Sequence, residues 1–149
     1  MDYAFRYAEE HLIEKEVEYP YEGTDQECRY VQASGVVKAS AFTDVEPNDP
    51  SALKAAISIK PVSVGIQADS RVFQSYSGGV ITGSECGTEI DHGVLAVGYG
   101  VDEETGLEYF LVKNSWGPSW GDQGYVKLGV MEGAGVCGIQ GQASYPTTD

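Results

Sequence analysis

The sequence predicts an α+β fold, with helices first and a β-rich stretch from about residue 62 onward. Three observations carry that expectation. Apolar residues near the start recur at helical spacing, a capped second helix follows, and after it come short apolar runs divided by glycine-rich turns. Most of the 19 glycines fall from Gly78 onward, where tight connections between strands require them.

Met1, Ala4, Phe5, Ala8 and Leu12 define an amphipathic helix from about Met1 to Glu14. Glu18-Tyr19-Pro20-Tyr21-Glu22-Gly23 is a turn-rich connector. Asn48-Asp49-Pro50 starts a second helix, with Asp49 as cap and Pro50 in the first turn. Leu53, Ala56 and Ile57 give that helix one apolar face, and Lys60-Pro61 ends it. Val62, Val64 and Ile66 alternate with Ser63, Gly65 and Gln67, the pattern of a half-buried strand. Val94 to Tyr99 is nearly continuously apolar and suits a central strand. Asp102 to Gly106 reads as a hairpin loop leading into a strand from Glu108 to Lys113. Gly124 to Val130 and Ala143-Ser144-Tyr145-Pro146 supply two more strands.

Composition narrows the class. With 42% hydrophobic and 21% charged residues in 149, the chain is long and apolar enough to bury a core. Its 23 acidic and 9 basic side chains give a net charge of −14, which opposes nucleic acid and anionic membrane as partners. No apolar run approaches the ~20 residues of a membrane span. Met1-Asp2-Tyr3-Ala4-Phe5 does not have the basic and apolar regions of a signal peptide. Cys28, Cys86 and Cys137 match no zinc or redox-dithiol spacing. One disulfide among them could be chosen in three ways, and each choice leaves a thiol over.

The chemistry concentrates in two short segments, Asp91-His92-Gly93 and Lys113-Asn114-Ser115-Trp116-Gly117. His92 lies just before the apolar strand, and Asn114 closes the strand that hairpins back. Antiparallel pairing then brings the two side chains within hydrogen-bond reach. An Asn carbonyl accepting from one imidazole N–H fixes the tautomer and leaves the other nitrogen to face a thiol. It does so without adding negative charge, which suits a thiolate–imidazolium pair. Trp116 is placed to cover that bond. By residue type alone His92 would be a structural histidine; its spacing from Asn-Ser-Trp-Gly favours the catalytic reading.

At this point the chain resembles the papain-like cysteine peptidases, particularly the cathepsin L-like and plant vacuolar members. Matching stretches run in family order from Met1-Asp2-Tyr3-Ala4-Phe5 and Tyr19-Pro20-Tyr21 through Pro61-Val62-Ser63-Val64 and Ser77-Gly78-Gly79-Val80. They continue with Cys86-Gly87-Thr88-Glu89-Ile90-Asp91-His92-Gly93-Val94, Val97-Gly98-Tyr99-Gly100 and Lys113-Asn114-Ser115-Trp116-Gly117. Trp120-Gly121, Gly124-Tyr125, Val136-Cys137-Gly138-Ile139 and Ala143-Ser144-Tyr145-Pro146 complete them. The resemblance implies the end of a helical left domain, residues 1–22, followed by a β-barrel-like right domain of antiparallel strands, residues 23–149. It implies His92 as general base and acid, Asn114 as its orienting group, Trp116 as shield and Trp120 on the leaving-group side. It pairs Cys86 with Cys137 and assigns Cys28 a partner in the family's N-terminal half. The main specificity pocket maps onto Gly65, Ile90, Asp91, Gly93 and Gln142. A neutral Gln142 at its base implies preference for bulky apolar side chains and weak selection for a cation, unless Gln142 points to solvent. No cofactor or metal is implied. Expected partners are peptide or protein substrates, the missing N-terminal peptidase part and cystatin-type inhibitors. The implied location is lysosomal, vacuolar or secreted.

One component of the machinery is not found. The papain-type nucleophile, in C-G-[SA]-C-[WY], lies about 130–150 residues before the His and Asn, hence roughly 40–60 residues before Met1. Glu27-Cys28-Arg29 lacks that context. The family builds its oxyanion hole from an upstream Gln and the nucleophile's backbone N–H, so that goes with it. Because Met1-Asp2-Tyr3-Ala4-Phe5 matches an internal helix, the chain reads as a fragment, a truncated gene model or one chain of a processed enzyme. It is expected to be inert alone. The alternatives are a non-catalytic peptidase-like binding module, or one chain of an enzyme complemented in trans.

Overall fold

The computed structural model describes residues 1–148 and has the expected α+β class. The chain forms two compact units, Met1–Thr43 together with the residues from Pro146, and Asp44–Tyr145. Among the described residues no helix is long and apolar enough to cross a membrane.

The first unit begins with helix α1 (Asp2–Glu10). This helix stops four residues short of the expected Glu14. His11 is already extended, at φ −125° and ψ 138°, and Ile13–Glu14 instead form a strand, β1. The β-branched Ile13 favours that pairing. β1 pairs antiparallel with β2 (Gly35–Val37), where Gly35 comes so close to Leu12 that a Cβ would lie 2.2 Å from the leucine Cβ. Strand β3 (Ala41–Asp44) follows. Phe5 stacks on Phe42 at 5.8 Å, and the Ala39 N–H donates to the Ala8 carbonyl. Yet α1 contributes no buried residue, and Ala39 is the one buried side chain of this unit among the described residues. Tyr3 and Tyr21 are 86% and 87% exposed.

The second unit carries the core. Helix α2 (Pro50–Ile59) starts as the sequence predicts, with the Asp49 carboxylate accepting the N–H groups of Ser51 and Ala52, and it ends at Lys60. Leu53, Ala56 and Ile57 are its buried face. β4 (Val62–Ile66) follows, then a one-turn helix α3 (Arg71–Gln74), whose Phe73 N–H is capped by the Ser70 hydroxyl. The remaining strands are β5 (Val80–Ile81), β6 (His92–Val101), β7 (Glu108–Lys113), β8 (Tyr125–Gly129) and β9 (Ala143–Thr147). Their order in the sheet is β9-β4-β6-β7-β8-β5, with every neighbour antiparallel except β5 on β8. β6 is central, as its apolar run implies, but it begins at His92 itself rather than after it. Val62, Val64, Ile66, Phe73, Phe110, Val112, Val126 and Leu128 bury their side chains completely, each removing apolar surface worth ~1.5–3 kcal/mol from water. Cys86 and Cys137 form a disulfide, as the family resemblance implies, and Cys28 is an exposed free thiol.

The β6–β7 hairpin is fastened at its turn. Asp102 accepts from the Thr105 N–H and hydroxyl and pairs with the Lys127 ammonium on β8 at 2.9 Å. Lys127 in turn lies 4.8 Å above the Tyr109 ring. The Lys127 hydrogen bond, then those from Thr105, hold the Asp102 carboxyl at about 2, below its ordinary 3.8. A depressed carboxylate stabilises the fold above its unfolded pKa and loses that contribution as pH falls through the folded value.

Two outcomes follow from these contacts. The urea midpoint of Asp102→Asn should lie below that of the parent by a constant amount above pH 5. The gap should close between about pH 4 and pH 2, the window set by the ordinary and depressed values. Replacing Cys86 and Cys137 by serine opens a loop spanning 51 positions. Equilibrium unfolding should then show a loss of roughly 4 kcal/mol.

Candidate active site

His92 and Asn114 come together because β6 and β7 are antiparallel neighbours, with Leu95 opposite Lys113. That register brings the first residue of β6 and the residue just after β7 to one edge of the sheet. His92 Nε2 lies 2.9 Å from Asn114 Oδ1. The same oxygen accepts the Ser115 N–H at 2.8 Å, which fixes the amide orientation, because only an acceptor can face that N–H. The proton of the imidazole therefore sits on Nε2, and Nδ1 carries the lone pair. Among the described residues Nδ1 has no hydrogen-bond partner. Asn114 is 7% exposed, and its Nδ2 is buried with no partner among the described residues.

The loop that holds Asn114 is closed at its neck by Asn114 N–H donating to the Gly124 carbonyl at 2.9 Å. Gly121, at φ +60°, lets the loop fold back; a Cβ there would lie 2.6 Å from the Tyr125 carbonyl oxygen. Along this loop Trp116 stacks on the His92 ring at 5.3 Å, with 28° between the planes. Trp116 meets Trp120 edge-on at 5.3 Å, and the buried Phe73 packs against both. The Trp120 indole N–H donates to the Gln74 carbonyl at 3.1 Å, which ties the pair to the end of α3. One face of the imidazole is thus covered by indole, so water is kept from the His92–Asn114 bond on that side.

A second cluster lies beside the first, at the same end of β4 and β6, where Ile66 is opposite His92. Gly65 on β4 is opposite Gly93 on β6. A Cβ at Gly65 would lie 2.7 Å from Ile90 Cγ2 and 3.3 Å from Gln142 Oε1, so these three residues adjoin. A Cβ at Gly93 would enter open space. Ile90 is 42% exposed and Gln142 is also exposed, which leaves its amide facing both this recess and solvent. Asp91 is placed differently from the others. Its carboxylate accepts the N–H groups of Ala68 at 2.7 Å and Asp69 at 3.2 Å, turned toward backbone. Cys28 belongs to the first unit. Gln67, read in the sequence only as an alternate strand position, contacts the loop before His92; no residue pattern pointed to it.

Removing the acceptor tests the imidazole geometry. In Asn114→Ala, nitrogen chemical shifts of His92 should move from one tautomer toward a mixture. Loss of one partly buried hydrogen bond of about 0.5–1.5 kcal/mol is enough to do this.

Known proteins resemble this chain in sequence and in fold. The sequence profile of the papain family cysteine proteases matches residues 1–147. Germination-specific cysteine protease 1 of Arabidopsis thaliana is 46% identical over 151 residues, covering 98% of this chain and 39% of that protein. Cathepsin L of Sarcophaga peregrina is 45% identical over 150 residues, covering 99% of this chain and 44% of its own length. The chain thus spans about two-fifths of these relatives. Among solved structures, the bromelain protease of Ananas comosus in complex with the E64 inhibitor superposes with a TM-score of 0.88 at 33% identity, covering 98% of this chain and 68% of that one. The proform of the ragweed pollen protease Amb a 11 gives 0.92 at 40% identity, covering 98% and 40%. Matched in sequence and fold over nearly all its length, the chain belongs to the papain family of cysteine proteases.

Proposed function

We propose that this chain supplies the base-bearing side of a papain-like cysteine endopeptidase, and that the attacking cysteine lies outside the present sequence. The observation that carries the reading is the His92–Asn114 hydrogen bond, which leaves Nδ1 free beneath a tryptophan. Nδ1 would take the proton of a facing cysteine thiol, giving a thiolate–imidazolium pair. The thiolate would attack the peptide carbonyl carbon, and the imidazolium would protonate the departing amine as the C–N bond breaks. Water, deprotonated at the same nitrogen, would then release the acid and restore the thiol. Asn114 acts as orienter and Trp116 as shield, and Trp120 borders the leaving-group side. Gly65, Ile90, Gly93 and Gln142 would form a recess for a bulky apolar side chain, with the Asp91 backbone beside it.

Two observations support an external nucleophile. Cys86 and Cys137 are bonded to each other, and Cys28 sits in Glu27-Cys28-Arg29, away from the nucleophile motif. The first unit, with no α1 residue fully buried and with Tyr3, Val17 and Tyr21 exposed, presents the apolar surface expected of an element that packs against further polypeptide. On this reading the natural partners are that polypeptide, peptide or protein substrates and cystatin-type inhibitors, in a lysosomal, vacuolar or extracellular setting.

The purified chain should not hydrolyse a dipeptidyl fluorogenic substrate at acidic pH. Measurable thiol-dependent turnover by it alone would refute the external nucleophile. A longer chain, extended through an in-frame Cys-Gly-Ser-Cys-Trp-like segment upstream of Met1, should be active and should lose activity on His92→Ala. A verified start at Met1 preceded by a stop codon would instead favour a non-catalytic binding module.

A further inference from the structure

We propose that Gln67 is a positioning residue that fixes the Glu89–Asp91 segment, and so sets both the Ile90 wall of the recess and the entry into the His92 strand. The inference rests on the recess described under the proposed function and identifies what holds it in shape.

Ile90 needs such a device. As a half-exposed side chain it is not held by burial, and its backbone lies outside the sheet ladder, which on this side ends with Ile66 opposite His92. Hydrogen bonds secure it on both flanks instead. On one side Asp91 N–H donates to the Ile66 carbonyl at 3.0 Å, and its carboxylate takes the Ala68 and Asp69 N–H groups. On the other side the Glu89 N–H donates to Gln67 Oε1 at 2.7 Å.

The amide at position 67 is matched to its surroundings. Its Nε2 donates to Asp69 Oδ1 at 2.8 Å while its Oε1 accepts from Glu89 N–H. One end must donate and the other accept, so neither a flipped amide nor a carboxylate meets both requirements. Its own N–H donates to the Cys137 carbonyl at 2.8 Å, tying the anchor to the chain around the disulfide. The carboxamide lies where a side chain at residue 87 would be: a Cβ on Gly87 would fall 2.1 Å from Gln67 Oε1. Gly87 also has φ +78°, which glycine adopts without steric cost. Gln67 and Gly87 therefore act as a pair, one filling the space the other leaves. Of the titratable residues around the amide, Asp69 bonds it through its carboxylate and Glu89 through its backbone N–H, while the Asp91 carboxylate takes the neighbouring Ala68 and Asp69 N–H groups.

The test uses the chain as it stands, by nuclear magnetic resonance, with the parent, Gln67→Ala, Gln67→Glu and Gly87→Ala. In Gln67→Ala the Glu89 amide should exchange with solvent roughly tenfold faster. The nuclear Overhauser contacts between Ile90 methyls and Gly65 should fall away, and Gly87→Ala should reproduce both effects. Gln67→Glu keeps the acceptor and serves if the alanine variant unfolds. Protonated at pH 4, it can still donate to Asp69 and should retain the Ile90–Gly65 contacts. Ionised at pH 7, it places two carboxylates together and should lose them, a pH response that a side chain merely filling space would not produce. Parent-like exchange and contacts in Gln67→Ala, or pH-independent contacts in Gln67→Glu, would overturn the proposal. None of these readouts involves hydrolysis. A failure here leaves the His92–Asn114 reading standing, and turnover by the chain alone would leave this one standing.

Discussion

The antiparallel register between β6 and β7 is the constraint on which the site depends. Side chains alternate faces along a strand, so a slip of one residue would turn His92 and Asn114 to opposite sides of the sheet. The register is fixed at the far end by the Asp102–Thr105 turn and by Lys127 reaching across from β8. It is fixed along its length by Ala96, Phe110 and Val112, which have no other face on which to be buried. A hydrogen bond of 2.9 Å at one edge of the sheet is thus held in place by packing and charge pairing several residues away.

Chemically, the site depends on an amide rather than a carboxylate behind the histidine. A neutral acceptor orients the ring and selects a tautomer without adding a negative charge that would raise the imidazole's basicity. The aromatic group of Trp116, Trp120 and Phe73 contributes in another way. Removing water from one face lowers the local dielectric, so the hydrogen bond beneath the indole is stronger and less exchangeable than an exposed one. The chain as a whole carries a net charge of −14, yet the group that orients the histidine is an uncharged amide.

Much of this was legible in the sequence where local chemistry and long-range pairing agreed. Asp49-Pro50 announced α2 because a cap and a fixed φ act on neighbours only. His92 and Asn114 could be paired because the apolar runs on either side of Asp102–Gly106 form one hairpin. Other features depend on contacts no pattern encodes. The end of α1 at Glu10 is decided by β1 joining β2, where Glu14 meets Gly35 and Ile13 meets Val37. α3 and β5 are four and two residues long, too short to leave a period. Asp91 falls in the pocket motif by position, but its carboxylate serves backbone amides, and Gln67 meets Glu89 only because the chain returns across 22 positions.

The three cysteines illustrate how accessibility can sort chemically identical atoms. Cys86 and Cys137 are each about 1% exposed, whereas Cys28 is on the surface. Thiol–disulfide exchange requires in-line approach of a thiolate to a sulfur, and burial denies that approach whatever the reductant's strength. A medium reducing enough to keep an exposed thiol available for chemistry can therefore coexist with an intact internal crosslink. The barrier is kinetic, and the folded core supplies it.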